Sequence, residues 1–277
     1  MLIELHNPLK SAIEFTRQKE RRRYPNVLSL LLNSKVVESG LVMALHYIRV
    51  GHECVCERGI SMEKPIRIVV YFDYLCPWCY IATVRLRYLE EEYGNKISIS
   101  WRSYPLVVRE IPNRFISSHS VESRCRAALE EDKISFSSWN PDEPYPASSM
   151  PALRAAKCAQ LQGGEAFRRF HIALFRAFFE EGMNIGEREV LISLAKKARL
   201  DVERFNSDFS SRSLEEEVLA EYEDGRAEYE GWGIPIVVVG RRYPIAGAVP
   251  ITLYRRAIDL CLASHEGKKE SQMGRDG

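Results

Sequence analysis

The sequence lacks the features that mark membrane and nucleic-acid-binding proteins. Nowhere in its 277 residues does an apolar run reach the length that a membrane-spanning helix requires, which is roughly 18 residues. Positive and negative charges nearly cancel, because 39 lysine and arginine residues face 38 aspartate and glutamate residues, for a net charge of +1. This balance provides no long-range attraction to nucleic acid or to an acidic membrane. We therefore expect neither among its partners.

The sequence also has few signs of a secreted protein. Its seven cysteines are an odd number spread along a long chain, whereas secreted disulfide frameworks use an even, closely spaced set. A basic run at 21–23 and an apolar run at 27–32 match a signal peptide poorly, because they start late and are separated by Pro25 and Asn26. No small-residue cleavage site follows them. We predict a cytoplasmic protein on these grounds.

What the sequence does contain is a pair of cysteines between a strand and a helix. The apolar, β-branched run at 66–72 predicts a buried strand, and residues 81–89 place apolar side chains on one face at helical spacing. The motif Cys76-Pro77-Trp78-Cys79 lies between them. Pro77 suits the first position of a helix, where its missing N–H costs no hydrogen bond. The two cysteines are therefore expected at the helix start and one turn inside it.

This position has chemical consequences for the thiols. Backbone N–H groups are unpaired at a helix start and favour negative charge there. A cysteine so placed is stabilised as the thiolate, which is the nucleophilic form. Cys79 lies one turn deeper, near enough to close a disulfide but less able to meet solvent. The spacing therefore predicts that Cys76 is the attacking thiolate and Cys79 the resolving thiol.

Two other interpretations of these cysteines remain open. Both residues could be packed core cysteines, or they could form half of a zinc site. A four-cysteine site would add Cys54 and Cys56, whose C-x-C spacing is compatible with zinc. However, 19 residues that include a whole predicted strand separate the two pairs. We expect no metal in the site.

Residues 1–61 differ from the chain that follows them. They mix short apolar pieces with a basic cluster and show no sustained helical or strand period. Met62 precedes the first predicted strand by a few residues. Our hypothesis is that Met62 is the natural start, so that 1–61 is an extension that is not native or is poorly ordered. A regulatory segment is the alternative.

The rest of the chain predicts an α/β domain interrupted by a long insertion. Alternating residues at 96–106 predict a second strand, parallel to the first because a helix connects them. A strand after Ile234-Pro235, a hairpin partner at 243–247 and a helix at 253–263 close the domain. The core is therefore assigned to 62–106 and 230–264, the inserted loop and helical domain to 107–229, and a flexible tail to 265–277.

The insertion divides into an irregular part and a helical part. Residues 107–150 are rich in turns, and the stretch 135–149 around Trp139 predicts a loop that either walls the active site or is an ordinary surface excursion. Apolar periodicity then predicts helices from 151 to 231 that pack over the sheet as a lid. His171 lies in an aromatic stripe of this block, and we expect it to be a core histidine rather than a catalyst.

This order of elements, with three motifs, resembles the DsbA-like oxidoreductases of the FrnE type. The motifs are the segment 71–80 that holds both cysteines, the helical segment 173–182, and the segment 233–235 together with Gly247-Ala248. They extend over about 64–264. The resemblance implies an α/β, thioredoxin-like fold with a large helical insertion over the sheet.

The resemblance also implies a site and an activity. Pro235 would be cis and Ile234 would face the cysteine pair, so that its backbone could bind an extended substrate in a mixed disulfide. Pro77 and Trp78 would join the substrate-binding residues and tune the reduction potential. The activity implied is that of a protein-disulfide oxidoreductase or isomerase acting on a thiol or disulfide, protein or small molecule, with no cofactor except glutathione as a co-substrate. Asp73 would lie near the pair or serve as a turn residue.

A second group with the same fold provides the alternative function. The chain is similar to 2-hydroxychromene-2-carboxylate isomerases and kappa-class glutathione transferases, which use bound glutathione and a serine-type residue where Cys76 stands. This chain keeps both cysteines, which favours redox chemistry. A helical lid would also suit a pocket for a small molecule.

Overall fold

The computed structural model describes residues 64–131 and 133–273, which form a four-stranded sheet with helices packed against it. The strands are β1 (Ile66–Phe72), β2 (Ile97–Ser103), β3 (Ile236–Val239) and β4 (Tyr243–Ala246), in the order β2-β1-β3-β4. β1 is parallel to β2 and antiparallel to β3, so the sheet is mixed. No helix in these residues is long and apolar enough to cross a membrane. The predicted extension 1–61 lies outside them.

β1 is a central strand, and its position explains where the cysteine pair lies. Alternate residues from Ile66 to Phe72 point into the main core, whereas on the other face Arg67 is exposed and only Tyr71 is buried. Helix α1 (Pro77–Tyr93) follows it and leads to β2, which confirms the predicted parallel crossover. The helix ends at Gly94, whose φ of 54° favours glycine. The cysteines thus follow the carboxyl end of a strand that has one face in the main core.

The helices of the insertion pack over the sheet, as the sequence predicts. They are α2 (Ser118–Ala128), α3 (Met150–Leu161), α4 (Gly164–Phe179), α5 (Arg188–Lys197), α6 (Val202–Phe209) and α7 (Arg212–Glu228). α4 buries its aromatic face over the sheet, where the ring of His171 lies 5.0 Å from that of Phe72 and 4.3 Å from that of Trp101. The aromatic stripe is therefore core, as predicted.

Two helices differ from the sequence-based expectation. α2 interrupts the segment predicted to be rich in turns, and its two buried residues are Arg124 and Ala127, so it has no apolar stripe to reveal it. α8 (Ile251–Met273) continues well past Ala263, so most of the segment predicted as a tail is helical. Residues 266–270 are rich in lysine and glutamate, which have high intrinsic helix propensity.

Helix α7 is fixed to the edge of the sheet by a buried charged cluster. The Glu221 carboxylate accepts a hydrogen bond from the backbone N–H of Ser103 at 2.7 Å and contacts the ammonium group of Lys157 at 2.7 Å. Both charged side chains are nearly inaccessible to solvent. Gly225 allows the close approach, because a Cβ at this position would lie 2.8 Å from the Tyr71 ring. The insertion and the sheet are therefore joined on this side by a buried hydrogen bond and by close packing at Gly225.

Candidate functional site

Cys76 is the N-cap residue of α1. Its backbone is extended, with φ −95° and ψ 113°, and its Sγ accepts a hydrogen bond from the N–H of Cys79 at 3.3 Å. Pro77 is the first residue of the helix, as predicted. The Cys76 sulfur therefore takes one of the backbone N–H groups that a helix start leaves without a partner in the helix. Both cysteines are free thiols in this structure.

The Ile234–Pro235 peptide lies opposite this sulfur. The bond is cis, as the family resemblance implies. The Cys76 Sγ lies 3.7 Å from the carbonyl oxygen of Ile234, a residue 158 positions away in the chain. Ile234 is half-buried and Pro235 is buried. The structure therefore brings together the two halves of the predicted site.

The second cysteine of the motif is in a different environment. Cys79 is completely buried, whereas Cys76 retains 5% of its surface. Burial, together with the hydrogen bond and charge of Cys76, raises the pKa of the Cys79 thiol well above its usual range. Cys79 is thus held as a neutral thiol.

Asp73 fixes the turn that carries Cys76. This carboxylate is wholly buried and accepts hydrogen bonds from the N–H groups of Leu75 and Leu106 and from the hydroxyl of Ser149. Burial raises the pKa of Asp73, and the three hydrogen bonds oppose that rise. Because these partners belong to three separate segments, Asp73 joins them at the site and is more than a turn residue.

A buried polar chain runs behind the cysteine pair. The Tyr74 hydroxyl pairs with Nδ1 of His171 at 2.7 Å, and Nε2 of His171 lies 3.4 Å from the Thr83 hydroxyl. That hydroxyl donates to the carbonyl of Cys79 at 2.8 Å. Burial lowers the pKa of His171 to about 3, so the imidazole is neutral near pH 7. His171 is therefore a hydrogen-bonded core histidine, as expected.

Trp78 connects the motif to the insertion. Its indole Nε1 donates to the hydroxyl of Ser123 on α2 at 3.0 Å, and the side chain is half-buried. The predicted loop 135–149 has no helix or strand in its described residues, and it borders the site at its last residue, Ser149. Trp139 of that loop packs on Tyr145 and Phe178. One end of the loop thus contributes to the site, while its centre packs on the insertion.

We expect Ser123→Ala to loosen this connection. The substitution removes the acceptor of the Trp78 N–H at a partly buried position, so the free energy of unfolding should fall by about 1 kcal/mol. Denaturant unfolding followed by circular dichroism measures this change. Ser118→Ala, at an exposed position of the same helix, is the matched control. Equal stability of both variants would show that the hydrogen bond contributes nothing.

Several residues of the site gave no signal in the sequence. Thr83, Ser123 and Ser149 are hydroxyl residues that belong to no motif, and each acquires its role through a partner that is distant in the chain or one helical turn away. The periodicity of apolar residues along a strand or helix does not identify such residues, because it shows only which face of the element is apolar. The described part of the chain contains no cluster of three or more histidine, cysteine or acidic residues suited to a metal. The zinc alternative draws on Cys54 and Cys56, which lie outside the described residues.

Comparison with known protein families gives one match that covers most of the chain. Residues 67–259 match the family model described as DSBA-like thioredoxin domain. The ClpXP adapter protein SpxH of Halalkalibacterium halodurans is 31% identical over 170 residues. That alignment includes 54% of this chain and 51% of the relative, so the chain spans about half the length of this curated protein.

Two solved structures share the fold at low sequence identity. One is the cytosolic disulfide reductase DsbM from Pseudomonas aeruginosa, with a TM-score of 0.55, 19% identity and coverage of 74% of this chain and 99% of that chain. The other is a probable DsbA oxidoreductase from Streptomyces coelicolor, with a TM-score of 0.59, 18% identity and coverage of 72% and 90%. These similarities confirm the thioredoxin-like fold with a helical insertion.

Proposed function

The chain belongs to the DSBA-like thioredoxin domain family, and on that basis we propose that it catalyses thiol–disulfide exchange with the Cys76–Cys79 pair. The observation that carries the proposal is the position of the Cys76 sulfur. It accepts an N–H at the start of α1 and lies 3.7 Å from the carbonyl of Ile234. Such a sulfur can be a nucleophile while an adjacent backbone group holds the substrate.

The proposed reaction proceeds in two displacement steps. The Cys76 thiolate attacks a substrate disulfide, so that a mixed disulfide forms, the substrate S–S bond breaks and one substrate thiolate leaves with a proton from solvent. The Cys79 thiol then gives up its proton to solvent as its sulfur attacks Sγ of Cys76, which releases the second substrate thiolate. The substrate gains two electrons and the cysteine pair becomes a disulfide. The reverse sequence oxidises a dithiol.

The unequal environments of the two sulfurs support this division of roles. Because the pKa of Cys79 is raised, its thiol stays protonated while the first step occurs at Cys76. We assign Ile234, Pro235, Pro77 and Trp78 to substrate binding, since Pro77 and Trp78 directly follow Cys76 in the chain and the carbonyl of Ile234, next to Pro235, lies 3.7 Å from its sulfur. An extended peptide could add to the backbone of Ile234 as a strand does.

Three finer proposals accompany this function. The motifs at 71–80, 173–182 and 233–235 support the FrnE subtype, and the odd cysteine count supports a cytoplasmic location. Glutathione as a co-substrate is proposed from the family resemblance. The alternative is a glutathione-dependent isomerase or transferase, which would use the side chain at position 76 and would not need a second cysteine at position 79. Adapter binding is a second alternative, because the SpxH relative is named as a ClpXP adapter protein. An adapter would keep its binding activity without either cysteine.

Redox mapping of the thiols tests the proposed function. The full chain is equilibrated in buffers of increasing oxidised-to-reduced glutathione ratio, alkylated and analysed by peptide mass spectrometry. We expect Cys76 and Cys79 to lose their thiols together and to form one intramolecular disulfide. Cys125, which is exposed and free, is the internal control, and its oxidation should not parallel that of the pair as the glutathione ratio rises.

Two results would contradict the proposal. If Cys76 and Cys79 stay reduced at every ratio, the pair has no redox role and the adapter alternative gains support. If Cys76 forms only a stable mixed disulfide with glutathione and never pairs with Cys79, the glutathione-dependent alternative is favoured.

A further inference from the structure

A buried arginine on α1 joins the helix of the cysteine pair to the turn at 247–249. Arg85 is 7% exposed, and one of its terminal nitrogens donates to the carbonyls of Ala248 and Val249, each at 3.0 Å. Its other nitrogens donate to the carbonyl of Glu130 at 2.7 Å and to the carboxylate of Glu131 at 3.2 Å. Three of its four acceptors are therefore backbone carbonyls at fixed places in the fold.

The 247–249 turn is also hydrogen-bonded to Pro235, the residue next to Ile234. The N–H of Gly247 donates to the carbonyl of Pro235 at 2.8 Å, which extends the β3–β4 pairing up to the cis peptide. The hydroxyl of Tyr254, a fully buried residue of α8, donates to the carbonyl of Gly247 at 2.8 Å. Two side chains thus hold one turn, and that turn holds Pro235.

These contacts close a loop of interactions around the site. Helix α1 contacts the Ile234–Pro235 segment directly through Cys76, and it contacts the same segment indirectly through Arg85 and the 247–249 turn. Cys76 and Arg85 are nine positions apart in the sequence, or about 13 Å along a helix axis. Two separate points on α1, one at Cys76 and one at Arg85, therefore fix the position of the Ile234 carbonyl relative to the Cys76 sulfur.

We propose that Arg85 and Tyr254 are positioning residues that hold the Ile234 backbone against Cys76 for binding an extended substrate, an inference that rests on the proposed exchange function. Arginine suits this task because its planar fork donates to several acceptors in fixed directions, which the single ammonium group of lysine cannot do. The hydroxyl of Tyr254 adds one partly buried hydrogen bond to the same turn. Both side chains act on the turn, where their hydrogen bonds go to backbone carbonyls.

The test compares two disulfide substrates that differ in backbone. One is a disulfide-bonded peptide, which can bond to the backbone of Ile234, and the other is hydroxyethyl disulfide, which has no amide groups. Their kcat/KM values are measured for the wild-type protein, Tyr254→Phe and Arg85→Lys. We expect the ratio of kcat/KM for the peptide to kcat/KM for hydroxyethyl disulfide to fall about fivefold in Tyr254→Phe, as for the loss of one hydrogen bond of about 1 kcal/mol. In Arg85→Lys it should fall about tenfold or more through a higher KM for the peptide.

The controls separate positioning from general destabilisation. Arg255→Lys alters a side chain that also joins α1 to α8, through two hydrogen bonds to Glu92 at 2.9 and 2.8 Å, but that pair is not bonded to the turn. Its substrate ratio should equal that of the wild type. Tyr254→Phe keeps the buried ring, so it tests the inference even if Arg85→Lys folds poorly.

The outcomes distinguish this inference from the proposed function. If the wild type exchanges both disulfides and the ratio is unchanged in Tyr254→Phe and in folded Arg85→Lys, the positioning role is wrong and the exchange function stands. If the ratio falls equally in Arg255→Lys, the effect is general and the positioning role is also wrong. If the wild type exchanges neither disulfide, the proposed function is wrong and this inference with it.

Discussion

Replacing Cys76 by serine is expected to lower the rate of thiol–disulfide exchange by about 10³-fold or more. A serine hydroxyl at a helix start stays protonated near pH 7 and cannot form an S–S bond, so neither displacement step can begin. The structure gives no substitute nucleophile in the motif, because Cys79 is fully buried and its pKa is raised. Reduction of a peptide disulfide under limiting dithiothreitol, followed by mass spectrometry, measures the rate.

Cys79→Ser should behave differently from Cys76→Ser. The first displacement remains possible, but the second is blocked, so the protein should accumulate as a mixed disulfide with about one substrate per chain. Mass spectrometry under non-reducing conditions detects this adduct at Cys76. Cys125→Ser, which changes an exposed free thiol outside the motif, is the matched control and should exchange like the wild type.

Two outcomes would refute the assigned roles. Full activity in Cys76→Ser would show that another group attacks the substrate. An adduct that forms at Cys79 in Cys76→Ser, and not at Cys76 in Cys79→Ser, would reverse the two roles.

The stability of the fold should fall steeply in acid because of His171. The folded protein binds a proton at this imidazole with a pKa of about 3, while the ordinary value of 6.5 applies to the unfolded chain. Between these pH values the unfolded state carries a proton that the folded state lacks. The stabilisation is therefore complete above pH 6.5 and is lost as the pH falls, by about 1.4 kcal/mol per pH unit. The whole loss is roughly 5 kcal/mol by pH 3.

A non-titrating substitution isolates this contribution. His171→Gln keeps a hydrogen-bonding side chain near Tyr74 and removes the titration, so its unfolding free energy should change less between pH 7.5 and pH 5 than that of the wild type. The difference should be about 2 kcal/mol. Urea unfolding at the two pH values measures it, and His119→Gln, at an exposed position, is the control. Identical pH dependence in wild type and His171→Gln would contradict the assignment.

The sequence was informative where structure depends on neighbours in the chain. The apolar run at 66–72, the Cys-Pro-Trp-Cys motif and the periodic residues after it are consecutive, so local pattern alone placed Cys76 at a helix start. The aromatic stripe around His171 likewise predicted a buried helix. α2 escaped detection because its buried side chains include a charged arginine, which a hydrophobic period cannot register.

Tertiary packing decided which distant groups meet the cysteine pair. The Ile234 carbonyl lies 3.7 Å from the Cys76 sulfur, although the two residues are 158 positions apart, because β3 pairs with β1. The residue pattern of neither segment predicts this contact. The resemblance to a known family suggested this encounter, whereas the contacts of Asp73, Arg85 and Tyr254 emerged only in the folded chain. The sequence by itself determined the chemistry available at the motif, since that depends on residue type and helix position. Only the tertiary structure determined how the motif is held and what faces it, because burial and long-range hydrogen bonds exist only when the whole core is assembled.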